Sequence, residues 1–468
     1  MTIRVRLHPV RAGGRAARLA VVAGVLLLGV TATTTTSIQA TTTDNTWACT
    51  TGNPSKSCAS STLAAMPSAR RELSAATAAD GRIVAFGGQN ISGGQANGGA
   101  LSTVEAYTPG TNSWACSVGD TAAHCTGTTI PAMPTARLET VAVRGADNRL
   151  YIFGGVNGST TYDRVEAYDP TTNSWACSTD DTACAKADRT LAPMPSARDD
   201  MAVAATTDGH LYLVGGENSS GTKLALVQAY LPSSNTWSTV QPMGAARDDL
   251  AAATGSDGRI YAVGGNNGTA TITTVEAYTP STNSWATLAP LSTSRDDLAA
   301  VSGPCGRIYA MAGDNNDALL ATTEVYTIAT KTWTSVTPIP TMRDDLAASL
   351  GADGRFYVIG GDDAGSQPLG TNEAYTATTN CGGSPTAARV ISFNAQWSAT
   401  EVVLHWKTNN RLNIAGFWVY AAGHQLNPQL IPVHAGPKYT YRTPWSAGGP
   451  FTLVILLKNG TSIRITAR

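Results

Sequence analysis

PMGAARDDLAAATGSDGRIYAVGG, residues 242–265, is the stretch whose reading decides the fold. A charged triplet, Arg247-Asp248-Asp249, leads into the short run Leu250–Thr254. Asp257-Gly258 then supplies a tight turn that needs positive φ, and Arg259–Val263 alternates into the pair Gly264-Gly265. Two short runs joined by Asp-Gly read as antiparallel strands of a hairpin. A third strand follows at Val275-Glu276-Ala277-Tyr278 and a fourth around Trp285. The unit is four strands long, and the glycine pair lets backbones approach closely.

The same phrase occurs six times. Its glycines end at Gly88, Gly155, Gly216, Gly265, Gly313 and Gly361, at spacings of 67, 61, 49, 48 and 48 residues. The turn recurs as Asp80-Gly81, Asp208-Gly209 and Asp353-Gly354. Tyr107, Tyr168, Tyr230, Tyr278, Tyr326 and Tyr375 mark the third strands; Trp114, Trp175, Trp237, Trp285 and Trp333 mark the fourth in the first five units. These rings are expected to fill the space between units, which widens outward. Two departures stand out. Ala312 replaces a first glycine, and the sixth unit has Cys381 near where its Trp belongs. An unmatched Asn-Thr-Trp, with Trp47, precedes the first unit. That segment is expected to supply the outer strand of the sixth unit and to close a ring, because an unclosed ring exposes whole sheet faces.

A period near 50 residues, with a glycine pair, then Tyr, then Trp, resembles the Kelch repeat. The resemblance implies an all-β chain: a six-bladed Kelch β-propeller closed by an N-terminal strand, similar to the central domain of galactose oxidase, spanning residues 41–383. From residue 384 the pattern changes. ARVISFNAQWSATEVVLHWKT and GFWVYAAG alternate as strands do, and 384–468 reads as a small β-sandwich that resembles a fibronectin type III module. Its His405, His424 and His434 are read as ordinary surface or core residues.

Residues 1–40 read as a secretory signal and Thr-rich linker. Arg4, Arg6, Arg11, Arg15 and Arg18 precede an apolar run, Leu19–Val30, that is short for a membrane span. Cleavage after Ala32 or Ala40 leaves a secreted, extracellular or cell-envelope protein with no stable membrane insertion. All eight cysteines follow this segment. Short loops close at least entropic cost, so local disulfides are expected at Cys49–Cys58, Cys116–Cys125 and Cys177–Cys184, with Cys305 and Cys381 either paired or free. Lys and Arg number 32 against 33 Asp and Glu. That balance supplies no global field for nucleic acid or an anionic membrane.

The candidate site lies at the mouth of the central channel. Every unit offers an Arg and an acid two residues on: Arg70 and Glu72, Arg137 and Glu139, Arg198 and Asp200, Arg247 and Asp249, Arg295 and Asp297, Arg343 and Asp345. Strand alternation puts both on one side, so rings of Arg and acid are expected to line one mouth. They either neutralise each other or hold a ligand. Just past the glycines, Asn90, Asn157, Asn218, Asn267, Asn315 and Asp363 are expected at the same mouth. The cysteine-bearing connections should raise a stapled wall beside it.

No phosphate-cradling loop or metalloprotease motif is present, and no catalytic group is assigned. Galactose oxidase-like enzymes hold copper with two His and two Tyr. The propeller here offers only His124 and His210, which do not converge, so copper is not expected and no metal ligand is assigned. Calcium stays open, since it takes six to eight oxygens and Asp and Asn are plentiful. The reading is a monomeric secreted binding or adhesion protein that recognises a glycan or an extracellular protein. The alternative is a carbohydrate-active Kelch enzyme, an oxidase or a sialic acid mutarotase-like isomerase.

Overall fold

The computed structural model describes residues 45–51, 58–90, 99–117, 125 and 130–377, together with the strands of the C-terminal piece between 390 and 467. The signal and linker reading of residues 1–40, His124, and Cys381 lie outside the described residues. The chain divides into two compact units at residues 384 and 385.

The larger unit is a ring of six antiparallel sheets. Blade four is representative. Its strands Ala251–Thr254, Ile260–Val263, Val275–Thr279 and Ser284–Thr287 pair in order from the channel outward. The second strand is buried throughout because neighbouring blades cover both of its faces. The Asp-Gly turns use positive φ at the glycine alone, +78° at Gly258. The Asp side chain accepts from the backbone two residues on, as Asp257 does from Arg259 N–H.

The ring closes as the stray Trp47 requires. Thr46–Thr50 pairs antiparallel with Asn372–Thr376, the third strand of blade six, with Trp47 opposite Tyr375. This repeats Trp285 opposite Tyr278 in blade four. Trp47 is fully buried, with its ring 4.9 Å from that of Tyr375. Thr337 O accepts from its Nε1 at 3.2 Å.

Disulfides join Cys49 to Cys58, Cys116 to Cys125 and Cys177 to Cys184. Cys305 is also disulfide-bonded. The described parts of the stapled loops do not form a wall over the channel. They add parallel pairing on the outer edge: Cys58–Leu63 on blade six, Arg189–Leu191 on blade two, and bridges at Cys125 and Ile130 on blade one. Each staple therefore guards the rim of a sheet, where an unpaired edge is a liability.

The C-terminal unit has one sheet of three strands, Val390–Trp397, Glu401–Thr408 and Lys438–Pro444, and a second built on Ile414–Ala421, Phe451–Leu457 and Ser462–Ala467. Trp406 and Tyr439 of the first stack and meet Phe417 of the second at 5.3 and 4.5 Å, so the sheets face each other as in a β-sandwich. His405 bonds Thr440 across neighbouring strands.

Candidate functional site

The six arginines do not line the mouth. Arg70, Arg137, Arg198, Arg247, Arg295 and Arg343 are all fully buried inside the blades. Strand alternation fails because the acid two residues on is not in a strand. Glu72, Glu139, Asp200, Asp249, Asp297 and Asp345 adopt left-handed φ between +46° and +55°. That kink sends the Arg side chain into the blade and leaves the acid facing the channel.

Five of the six arginines meet an acid of the third strand. The pairs are Arg70–Glu105 at 2.8 Å, Arg137–Glu166 at 2.7 Å, Arg247–Glu276 at 3.0 Å, Arg295–Glu324 at 2.8 Å and Arg343–Glu373 at 3.0 Å. In blade three Gln228 stands in the acid's place and accepts from Arg198 at 2.7 Å. With no acid beside it, burial pulls the Arg198 guanidinium down to about 10. Arg295 Nη1 also donates to Ala312 O at 2.9 Å, and Arg343 Nη1 to Gly360 O at 2.8 Å. The Arg carbonyls tie one blade to the preceding one. Gly88 N–H donates to Arg137 O at 3.0 Å, and Gly361 N–H to Arg70 O at 3.0 Å across the closure. This explains the first glycine of each pair: a Cβ at Gly264 would lie 2.4 Å from Arg295 O. The Glu of the Val-Glu-Ala-Tyr phrase, repeated wherever the Arg is except at Gln228, was the sequence signal for this pairing.

Freed of their arginines, the six acids crown a channel with a cavity of 190 Å³. Glu139 N–H donates to Glu72 O, Asp249 N–H to Asp200 O, and Asp297 N–H to Asp249 O, each at 3.0 Å. These backbone links between successive blades, with Glu72 N–H donating to Asp345 O, hold the carboxylates at close quarters. Below them the wall is apolar, with Ala252 and Ala300 among its residues. Burial, and then mutual repulsion, drives the carboxyls up: Glu139 to about 8, Asp345 to about 7, and Asp200, Asp249 and Asp297 well above the usual range.

A second tier comes from the middle of the triplet and the residue just after the glycines, joined by isolated bridges. They pair Arg71 with Gln89, Leu138 with Val156, Asp199 with Glu217, Asp248 with Asn266, Asp296 with Asp314 and Asp344 with Asp362. The post-glycine residues named from sequence lie one position too far along. Asn218 accepts from Ser220 N–H and Thr222 N–H, Asn267 from Thr269 N–H, and Asp363 from Gly365 N–H, so these side chains shape their own hairpins. Asn157 donates to Ala136 O, Asn315 accepts from Thr271 and Ser294, and Asn90 is half-buried at the end of its described segment.

Two cations meet this tier. Arg71 bonds Asp362 at 2.6 Å and Gln89 at 2.9 Å. Lys223 bonds Glu217 at 2.5 Å and also Asp248. The mouth is lined with carboxyl groups, a chemistry that can accept hydrogen bonds from hydroxyls or pair with a cation.

Comparisons with known proteins agree with this architecture. A model described as the KLHDC2/KLHL20/DRC7 Kelch-repeats domain matches residues 179–361, and the Kelch motif matches residues 70–116 and 141–180. Kelch-like protein 35 of Mus musculus is 33% identical over 102 residues, 22% of this chain and 15% of that protein. Among solved structures, one titled "Structure of YjhT" superposes with a TM-score of 0.51 at 15% identity, covering 68% of this chain and 98% of that one. The chain is a six-bladed Kelch-repeat β-propeller carrying a C-terminal β-sandwich unit.

Proposed function

We propose that this protein is a secreted binding protein that recognises a glycan or an extracellular protein through the acidic mouth of its propeller. The observation that carries the reading is the ring of six carboxylates over an open channel, with its arginines withdrawn into the blades. Carboxylates accept hydrogen bonds from sugar hydroxyls and pair with the ammonium of an amino sugar or the Lys and Arg of a protein. The basic and apolar start of the chain and its disulfides support export. Among the described residues no helix is long and apolar enough to cross a membrane. The rival reading, an isomerase acting on an acidic sugar, needs a cation free to take the sugar's carboxylate. The six repeated arginines are engaged inside the blades, and Arg71 is held by Asp362, which favours binding over that chemistry.

The test is an array of glycans, cell-wall polysaccharides and basic peptides. It compares the chain with a variant carrying Asp200→Asn, Asp249→Asn, Asp297→Asn and Asp345→Asn. A ligand bound by the chain and lost by the folded variant places recognition at the mouth. A ligand held equally by both sinks the proposal.

A further inference from the structure

The repeat makes the acidic tier of blade five comparable with its neighbours, and the comparison isolates one group of carboxylates. Oxygens of Asp296, Asp297 and Asp314 all lie within 4.8 Å of one another. Three oxygens so spaced fit around one centre at the 2.3–2.6 Å that calcium prefers. The equivalent groups differ in what already touches them. In blade six Arg71 bonds Asp362; in blade four Lys223 bonds Asp248. In blade three Glu217 is held by Lys223, so its third member is the half-buried Glu139 of blade two, and Asp199 already accepts from Thr161. Among the described residues, blade five alone has two buried members, Asp296 and Asp314, and no cation bonded to any of the three.

A second observation points to a missing ligand. Asp296 is 6% exposed. Its Oδ2 accepts from Asn266 Nδ2 at 3.0 Å, but its Oδ1 is buried and meets no donor. The same holds for Oδ1 of Asp199, Asp248, Asp344 and Asp362, so what sets blade five apart is its two buried members with no bonded cation. An unpartnered carboxylate oxygen so placed carries a large desolvation cost. Asp314 lies close by, and one of its own oxygens accepts from Asp317 N–H.

We infer that Asp296, Asp297 and Asp314 form a binding site for one calcium ion at the channel mouth. The three carboxylates supply the protein oxygens, and water from the open channel completes the shell. Calcium suits the site better than magnesium, because it accepts irregular oxygen shells whereas magnesium demands near-ideal octahedral geometry. The inference stands whether the mouth's partner is a glycan or a protein.

The test is calorimetry of calcium chloride titrated into the EGTA-stripped chain at pH 7.5. One ion should bind per chain with a Kd of roughly 10–1000 μM, from the weak end of sensor sites through extracellular sites. Asp297→Asn and Asp314→Asn, which keep side-chain volume, should each weaken binding at least about tenfold. Asp199→Asn in blade three should change it less than about threefold, and Asp80→Asn on the opposite face not at all. Should either site variant fail to fold, the wild-type titration remains decisive. Absence of binding at 5 mM calcium (roughly fivefold above the weak end of the extracellular range) overturns the site. So does an affinity that follows Asp199 rather than Asp297 and Asp314.

Discussion

Neutralising one member of the carboxylate ring should make the protein more stable, and Asp345→Asn is the cleanest case. Asp345 is driven up to about 7, first by burial and then by the charges of Glu72 and Asp362. A carboxyl whose value rises on folding binds its proton more tightly in the folded state. Its stabilising contribution is complete below about pH 4, the unfolded value, and is lost as pH rises through about 7. Moving from near 4 to about 7 corresponds to about 4 kcal/mol. The ring carboxylates share that penalty, so removing one charge is expected to return ~2 kcal/mol at pH 8. Groups held below their usual value, Asp169, Asp208 and Asp257, oppose this trend only below about pH 4. The parent should therefore lose stability between pH 5 and pH 8, and Asp345→Asn should flatten the slope. Urea unfolding followed by tryptophan fluorescence, in EGTA so that no cation masks the repulsion, reads both effects. A parent more stable at pH 8 than at pH 5, or a variant less stable than the parent at pH 8, would refute the reasoning.

Arg343→Met should cost ~3–5 kcal/mol in the same unfolding assay, because it leaves Glu373 buried without its cation; adding Glu373→Leu should restore a substantial part. Trp47→Ala should cost ~3–5 kcal/mol and exceed Trp285→Ala, since Trp47 is fully buried in the closing strand while Trp285 is partly exposed. Equal losses would mean that the N-terminal strand does not latch the ring. Ala312→Gly should stabilise by about 1 kcal/mol, because Ala312 holds φ at +57° where the other blades place glycine; a loss of stability in thermal melts would count against that strain.

The architecture was legible because the chain states it six times. Periodicity, glycine pairs and the stray Trp47 together gave blade number, strand order and closure, and short cysteine spacings gave three disulfides. What escaped was the direction of single side chains. The rule that residues two apart share a face holds in a strand, but Glu72 and its five counterparts sit in a left-handed conformation just before one. Nothing in Arg-Asp-Asp signals that bend. The repeated Glu105, Glu166, Glu276, Glu324 and Glu373 could have, since a buried Arg needs an acid and the mouth acids were already accounted for. Asn218 and Asp363 misled for a similar reason: Asn and Asp fit both a polar site and a hairpin that uses their side chains.

Repetition also separates framework from function. Whatever recurs unchanged in all blades, such as the inward Arg and the carbonyl it offers its neighbour, serves contacts that every blade must make. Specificity has to come from positions where the copies diverge around the mouth. Across the triplet's middle position the blades read Arg71, Leu138, Asp199, Asp248, Asp296 and Asp344. One side of this second tier is thus basic and apolar, and the other acidic. Lys223 bonds Asp248 and Glu217 and Arg71 bonds Asp362, whereas the pair Asp296 and Asp314 of blade five has no bonded cation among the described residues. A ligand docked there as proposed would meet a polarity gradient across the channel, which makes unequal the six orientations that a symmetric ring would leave equivalent.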